Sequence, residues 1–198
     1  MESVGQLNSN IVSKQELQNC RDCQLWKTRT NALTGEGNLN SYLMFVAQAP
    51  GEEEDKADKM FVGPSGKIFR KLLTDAGIDI KKNYMTNLIK CNIPQNRRPK
   101  QREIKACSQY LLREIEYVNP AIIVNLGYYA TKFFFEKYQL GSFARKQFSE
   151  IISQIYAIDN RKIYPISHPA AILYHKEFLD KAKDDYRKIA EMLPNSIN

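Results

Sequence analysis

The run Ala121-Ile-Ile-Val-Asn-Leu126 is the clearest indicator of the fold in this 198-residue chain. A short, β-branched and almost wholly apolar run is typical of a strand that is buried on both faces of a sheet. Three further runs of this kind lie at Tyr42–Ala47, Asn83–Leu88 and Lys162–Ile166, the last despite its proline. The sequence therefore predicts four buried strands.

The stretches between these runs have helical periodicity. In the first of them, Ile68, Leu72 and Leu73 share one face and Gly77 marks the end. The predicted helices are Ser65–Ala76, Arg102–Tyr117, Tyr128–Tyr138 and Glu177–Met192. Alternating strands and helices predict an α/β fold, with a central four-stranded parallel sheet and helices on both faces. Ligands of such sheets bind at the carboxyl ends of the strands, which selects the loops after Ala47, Asn87 and Ile166.

Composition places the chain among globular proteins, with 43% hydrophobic and 26% charged residues. We expect a single domain over residues 1–198, with loose ends at 1–14 and 194–198. No run approaches the ~20 apolar residues of a membrane span, and the first residues do not resemble a signal peptide. The net charge of +7 is compatible with a polyanionic partner, and equally with an ordinary basic protein.

Four cysteines are the second chemical feature of the sequence. Cys20 and Cys23 form a C-x2-C pair, whereas Cys91 and Cys107 lie far downstream and are separated by fifteen residues. In a reducing cytosol, four cysteines indicate metal ligands or free thiols more often than disulfides. A zinc ribbon usually has two compact C-x2-C knuckles, and the second one is missing here. The spacing therefore favours a four-iron four-sulfur cluster over zinc, with unrelated buried cysteines as a third reading.

The loops after the predicted strands resemble the motifs of the family 4 uracil-DNA glycosylases. The first motif corresponds to Gln48-Ala-Pro-Gly-Glu-Glu-Glu-Asp55, together with Phe61-Val-Gly63. The second corresponds to Thr86-Asn87, together with Lys90-Cys91 and Pro94-Gln-Asn-Arg97. The last corresponds to Ser167-His-Pro-Ala-Ala171. The blocks occur in the family's order, and the four cysteines lie where the family holds its cluster. The similarity extends from about Cys20 to about Phe178.

The resemblance implies a uracil-DNA glycosylase fold and a monofunctional enzyme that flips uracil out of DNA and hydrolyses its N-glycosidic bond. It implies a structural 4Fe-4S cluster on Cys20, Cys23, Cys91 and Cys107, with catalytic positions at Gln48 and His168. It assigns substrate contacts to Ala47, Gly51, Glu54, Phe61, Asn87 and Asn96, and the side chain that fills the vacated base position to Leu173, with Ile172 and Tyr174 as competitors. On this basis we expect a monomer that acts on uracil in single- or double-stranded DNA in a prokaryotic cytosol or nucleoid. A sliding-clamp partner is not readable from the sequence.

The roles of three residues follow from their chemistry. His168 could donate a hydrogen bond to uracil O2, Asn87 could pair with O4 and N3–H, and Phe61 could stack on the base. Each also has an ordinary structural reading: a histidine that caps a turn, an asparagine that closes a turn, and a core aromatic residue.

One position departs from the family pattern. The family motif usually reads Gly-Glu-Ala-Pro-Gly, whereas this chain has Gln48 in place of the glutamate. An amide can orient water, but it cannot accept a proton as a carboxylate does. This keeps a second reading open, a DNA-binding module of the same fold with weakened catalysis.

Two further alternatives involve other chemistry. A related enzyme type attacks the sugar with a loop histidine and stays bound to DNA, but Lys137–Gln147 contains no histidine. The other is a zinc-stabilised nucleic-acid adaptor, which would lack the brown colour of a cluster.

Overall fold

The computed structural model describes residues 11–141, 143 and 148–194. Its centre is a sheet with strand order β1-β3-β2-β4-β6-β5. The strands are β1 Glu36–Gly37, β2 Leu43–Ala47, β3 Tyr84–Asn87, β4 Ile122–Leu126, β5 Tyr156–Ile158 and β6 Arg161–Ile166. The four predicted strands are β2, β3, β4 and β6, each within a residue or two of its predicted bounds, and all neighbouring pairs among them are parallel. The prediction of an α/β sheet is confirmed.

The four predicted strands form the parallel centre of the sheet, and a short antiparallel strand that the sequence did not predict extends it at each edge. β1 pairs with β3 and β5 pairs with β6. These strands have two and three residues and are only partly buried, so they lack the apolar run that identifies a central strand.

Helices fill the connections between the strands. They are α1 Lys14–Asn19, α2 Glu52–Ala57, α3 Pro64–Asp75, α4 Gln101–Val118, α5 Tyr128–Tyr138, α6 Phe148–Ile151, α7 Ala170–Tyr174 and α8 Leu179–Glu191. Three of the four predicted helices correspond to α3, α4 and α5. The fourth begins two residues later than predicted, because Lys176–Phe178 forms a separate 3-10 turn before α8.

Side chains alternate along the strands and build a core on each face of the sheet. Met44 and Val46 of β2 belong to a core that includes Leu111 of α4 and Phe134 of α5. Phe45, in the opposite direction, belongs to a second core that α3 and α8 complete. Helices therefore cover both faces, as predicted for a three-layer sandwich.

The carboxyl ends of the parallel strands meet at one edge. Ala47 pairs with Asn87, and Leu126 pairs with Ile166. The loops selected from the sequence therefore begin side by side, because parallel strands present all their carboxyl ends at the same edge.

The ends predicted to be loose are described only in part. Residues 1–10 and 195–198 lie outside the described residues, as does part of Lys137–Gln147. Within 11–14, Val12 is buried and the Ser13 hydroxyl accepts a hydrogen bond from the Glu16 N–H, which caps α1. In the described ranges, no helix combines the length and the apolar character needed to cross a bilayer.

Candidate functional site

A pocket of about 280 Å³, counting the part open to solvent, lies at the carboxyl edge of the sheet. Six of the residues predicted from the sequence line it: Ala47, Gly51, Glu54, Phe61, Asn87 and His168. They come from the ends of β2 and β3, the beginning of α2, the loop between α2 and α3, and the loop after β6. The fold therefore brings together three stretches that are far apart in the chain.

A buried carboxylate organises the first wall of the pocket. Oε1 of Glu54 accepts a hydrogen bond from the Gly63 N–H at 2.7 Å. A Cβ atom at Gly51 would lie 2.4 Å from Oε2 of the same carboxylate, and one at Gly63 would lie 3.2 Å from Oε1. A side chain at position 51 would therefore require the Glu54 carboxylate to move away from its present place in the pocket wall.

The aromatic wall is held in a strained backbone conformation. Phe61 has φ of +55°, which is uncommon for a bulky residue. Its ring stacks on Phe69 with 4.1 Å between ring centroids. Arg70 of α3 donates hydrogen bonds to the carbonyls of Phe61 and Met60, each at 3.1 Å. The packing and these two bonds keep the Phe61 ring at the pocket.

Asn87 is buried at the end of β3 and contributes an amide to the pocket. Its Nδ2 lies 3.2 Å from Sδ of Met60. A thioether is a weak acceptor, so this amide N–H keeps most of its capacity to donate to a ligand.

His168 follows β6 and is held in one tautomer. Its Nδ1 accepts a hydrogen bond from the Ala170 N–H at 3.1 Å, so the neutral ring carries its proton on Nε2. Burial lowers the pKa of the His168 imidazole to about 4, because the charged form is desolvated. At neutral pH the residue is therefore an uncharged hydrogen-bond donor.

The pocket opens into a wider groove, which contains the remaining predicted residues. Gln48, Asn96 and Leu173 line this groove and not the inner pocket. Asn96 is solvent-exposed after a 3-10 turn. Leu173 is 44% exposed and Tyr174 is 80% exposed, whereas Ile172 packs against the core. Of the three residues predicted to compete for the vacated base position, only Leu173 and Tyr174 face solvent.

Sequence reasoning missed three residues of this site. Met60 and Ser65 line the pocket, and Arg70 holds its aromatic wall. Ser65 lies two residues after Gly63, the last residue of the first motif, so its position in the sequence could have indicated that it lines the pocket. Arg70 carried no such signal, because its role depends on how α3 packs against the preceding loop.

The four cysteines meet at a second cavity, of about 290 Å³ including its open part. All four side chains line it, together with apolar and aromatic groups of Leu17, Trp26, Ala106 and Tyr110. All four are free thiols. In the part of the chain that the structure describes, no three His, Cys, Asp or Glu side chains could hold a single metal ion together. The sulfurs are therefore spread around a cavity and not gathered at one point.

Hydrogen-bond donors point at two of the sulfurs. The Arg29 guanidinium donates to Sγ of Cys91 at 3.0 Å, and the Lys90 N–H donates to Sγ of Cys107 at 3.1 Å. Burial raises the pKa of the Cys107 thiol to about 12 and also raises the pKa of Cys23 and Cys91. Thiolates at this site require compensating positive charge, such as that of a metal centre.

The fold and the pocket define a class of protein. Helices cover both faces of the sheet, and His168, Asn87 and Phe61 line one pocket at its carboxyl edge, which defines an α/β protein with its candidate ligand site at the strand ends. Comparison with known proteins agrees, since residues 34–193 match the model of the uracil DNA glycosylase superfamily.

Three type-4 uracil-DNA glycosylases are similar over most of the chain. The protein from Saccharolobus solfataricus is 39% identical over 183 residues, covering 90% of this chain and 83% of the relative. The protein from Sulfurisphaera tokodaii is 39% identical over 187 residues, with coverage of 90% and 82%. That from Archaeoglobus fulgidus is 36% identical over 181 residues, with coverage of 89% on both sides. The chain belongs to the uracil-DNA glycosylase superfamily and, within it, to the type-4 family.

Proposed function

We propose that this protein removes uracil from DNA by hydrolysing the bond between the base and deoxyribose. The observation that carries the proposal is the convergence of His168, Asn87 and Phe61 on one pocket. The pocket lies behind the wider groove, so a base must leave the stack before it can enter. The family name that the relatives share supports the same activity.

Base recognition depends on Asn87 and Phe61. The Asn87 amide donates to uracil O4 and accepts from N3–H, whereas cytosine presents the reverse pattern and leaves buried groups unpaired. Each such mismatch costs ~1–3 kcal/mol. Phe69 covers one face of the Phe61 ring, and the other face stacks on the base.

His168 stabilises the departing base. When the C1′–N1 bond breaks, its electron pair moves to uracil, and the negative charge spreads onto O2 and O4. The Nε2–H of the neutral imidazole donates to O2, as a pre-placed donor does in an oxyanion hole. No proton needs to be transferred from the ring, which suits a histidine with a pKa of about 4.

Water then adds to C1′, and the proton that it loses passes to solvent or to the released uracil anion. Gln48 lies in the groove beside the pocket, where its amide orients this water. It cannot accept the proton. We therefore propose that orientation, and not general-base catalysis, is the contribution of Gln48.

The groove binds the DNA around the flipped nucleotide. Leu173 is exposed at its wall and fills the space that the base vacates, with Tyr174 beside it. Asn96 is placed to contact the strand. The segment between Cys91 and Cys107 exposes Arg98 and Lys100 before α4 and Arg102 in its first turn, and these cations suit the phosphate backbone.

We further propose that the four cysteines bind a 4Fe-4S cluster. One thiolate for each iron suits sulfurs that surround a cavity. The centre supplies the positive charge that keeps the thiols ionised, and it fixes the loop that carries the exposed cations. We assign it a structural role.

Three further proposals concern the form of the DNA substrate, the oligomeric state and the cellular compartment. We propose that the groove accepts uracil in a single strand or in a duplex and that the protein acts as a monomer. Four free thiols suit a reducing compartment, so we propose a cytosolic or nucleoid location.

A glycosylase assay tests the proposal. Oligonucleotides with one uracil, or one cytosine at the same position, are incubated with the protein and then cleaved with alkali at abasic sites. We expect cleavage of the uracil strand alone, slowed roughly 10²–10³-fold in His168→Ala. A protein that binds the oligonucleotide but releases no uracil, and that Gln48→Glu does not rescue, would instead be a DNA-binding module.

A further inference from the structure

An ion pair that the reaction does not use is buried between the pocket and the cysteine site. Nζ of Lys90 lies 2.6 Å from Oε2 of Glu114, and the two side chains are 1% and 0% exposed. Lys90 follows β3, and Glu114 belongs to α4. Burying two charges costs more free energy than their attraction alone returns, so stability is a weak explanation for such a pair.

The pair is part of a fully bonded network. The Thr86 hydroxyl donates to Oε2 of Glu114 at 2.5 Å and accepts from Nζ of Lys90 at 2.6 Å. The other carboxylate oxygen accepts the Gly35 N–H at 3.0 Å. Thr86 of β3, Lys90 after β3 and Gly35 before β1 are thereby fixed to Glu114 of α4.

That segment connects the two sites directly. Within residues 86–91, Asn87 lines the pocket and Cys91 lines the cysteine cavity. The backbone N–H groups of Leu88 and Ile89 donate to the carbonyls of Ala47 and Gln48 at 2.8 and 2.9 Å. A shift of this segment would therefore move the amide that contacts the base.

We propose that the buried Lys90–Glu114 pair is a positioning device, which holds Asn87 in register with the four-cysteine site. The inference rests on the proposed function of the pocket. Lys90 is suited to this role because it makes two different bonds. Its backbone N–H donates to Sγ of Cys107 in the cysteine site, and its ammonium group donates to Glu114, which also bonds Thr86 beside Asn87. Neither side chain contacts the substrate.

The double variant Lys90→Met/Glu114→Gln tests the proposal. It removes both charges, keeps the volume, and leaves an amide that can bond Gly35 and Thr86. We expect the visible absorbance of the cluster to be retained and kcat/KM on uracil-containing DNA to fall about tenfold, within the range of coupled neighbours. The same substitutions are then made in Asn87→Ala and His168→Ala backgrounds and measured in single turnover.

The backgrounds separate positioning from general damage. The loss should shrink below about twofold with Asn87→Ala and remain about tenfold with His168→Ala. Equal losses in all backgrounds, or no loss in the otherwise unchanged protein, would overturn the proposal. If the double variant does not fold, Thr86→Val is used. It keeps the ion pair and removes only the two hydrogen bonds that join the pair to β3, and we expect the same pattern with a loss of about threefold.

Hydrogen exchange provides a readout that does not depend on activity. We expect the Leu88 and Ile89 amides to exchange about tenfold faster in the double variant, and the Ile123 amide of β4 to be unchanged. Unchanged exchange at Leu88 and Ile89 would overturn the positioning role. Faster exchange in a protein that releases no uracil would overturn only the proposed function.

Discussion

The Ala170 N–H donates a hydrogen bond to Nδ1 of His168 across 3.1 Å, which leaves the ring proton on Nε2, the nitrogen free to bond a ligand. Because α7 begins at Ala170, the orientation of the histidine is set by the first turn of a helix that also carries Leu173. One short element therefore orients the proposed catalytic donor and presents the residue proposed to fill the base position.

The fall in activity at low pH should reflect the lowered pKa of His168. The neutral ring is the active form, and burial lowers its pKa from 6.5 to about 4. We therefore expect kcat/KM to change little between pH 7 and pH 5 and to fall as pH approaches 4. Stability should also fall in acid. The unfolded chain binds a proton at His168 near the ordinary pKa of 6.5, whereas the folded protein does so only near pH 4. The stability that the neutral ring contributes is therefore complete above pH 6.5 and is lost as the pH falls towards 4.

A pH–rate profile in single turnover, with circular dichroism at each pH, separates the two effects. His168→Gln should lose roughly 10²–10³-fold in kcat, the cost of removing one pre-placed donor. A limb centred near pH 6.5 would contradict the tautomer and burial argument.

Gln48→Glu should increase the rate. A carboxylate beside the pocket can accept the proton of the attacking water and oppose positive charge on the sugar, which the amide cannot do. We expect kcat to rise on the order of 10²-fold, the lower end for a general base, with KM little changed. Glu52→Gln is the control, because Glu52 lines the same groove but is exposed and paired with Lys56. A Gln48→Glu variant no faster than the parent would show that this position does not limit the chemistry.

Central strands and pocket-lining residues could be predicted from the sequence for a physical reason. A strand buried on both faces, such as Ile122–Leu126 with its single polar residue Asn125, is almost wholly apolar, and a polar residue at the end of such a run, such as Asn87, marks the edge where ligands bind. β1 and β5 left no such pattern. Neither the Lys90–Glu114 pair nor the bond from Arg70 to the Phe61 carbonyl could be predicted, because each depends on how a helix packs against a loop or strand.

Arg29 should protect the proposed cluster. Its guanidinium donates to Sγ of Cys91 and to the carbonyls of Gln18 and Cys20, so it binds one ligand and the chain beside another. Hydrogen bonds to ligand sulfurs stabilise reduced clusters. We expect Arg29→Met to lower the midpoint potential and to bleach several-fold faster in air.

Visible absorbance and a potentiometric titration measure these effects on protein prepared without oxygen. The matched control is Arg21→Met, because Arg21 also bonds the Cys20 carbonyl but lies over Trp26 and contacts no sulfur. Equal behaviour of the two variants would count against the sulfur bond. A colourless parent that binds zinc would remove the cluster altogether.

Asn125→Val should stabilise the fold. Asn125 is fully buried in β4, and neither amide atom has a hydrogen-bond partner among the described residues. Replacing an unsatisfied buried amide by a β-branched apolar side chain should raise the free energy of unfolding by ~1–3 kcal/mol. Asn83→Val is the matched control and should destabilise, because its Nδ2 donates to the Asp79 carbonyl at 2.6 Å. Urea unfolding of both variants measures the change in the free energy of unfolding. A less stable Asn125→Val would contradict the prediction and show that the Asn125 amide has a hydrogen-bond partner.

Leu173→Ala should discriminate between substrates. In a duplex, the side chain must replace the flipped base and offset lost stacking of a few kcal/mol, whereas a single strand has no partner base to separate. We therefore expect kcat/KM to fall about tenfold or more on a U·A duplex and less than about twofold on the single strand. Tyr174→Ala, made beside it, shows which exposed residue enters the duplex. Ile172→Ala should lower thermal stability with no change in this ratio, because Ile172 packs against the core. Equal losses of Leu173→Ala on both substrates would assign Leu173 to strand binding in the groove and not to the base position.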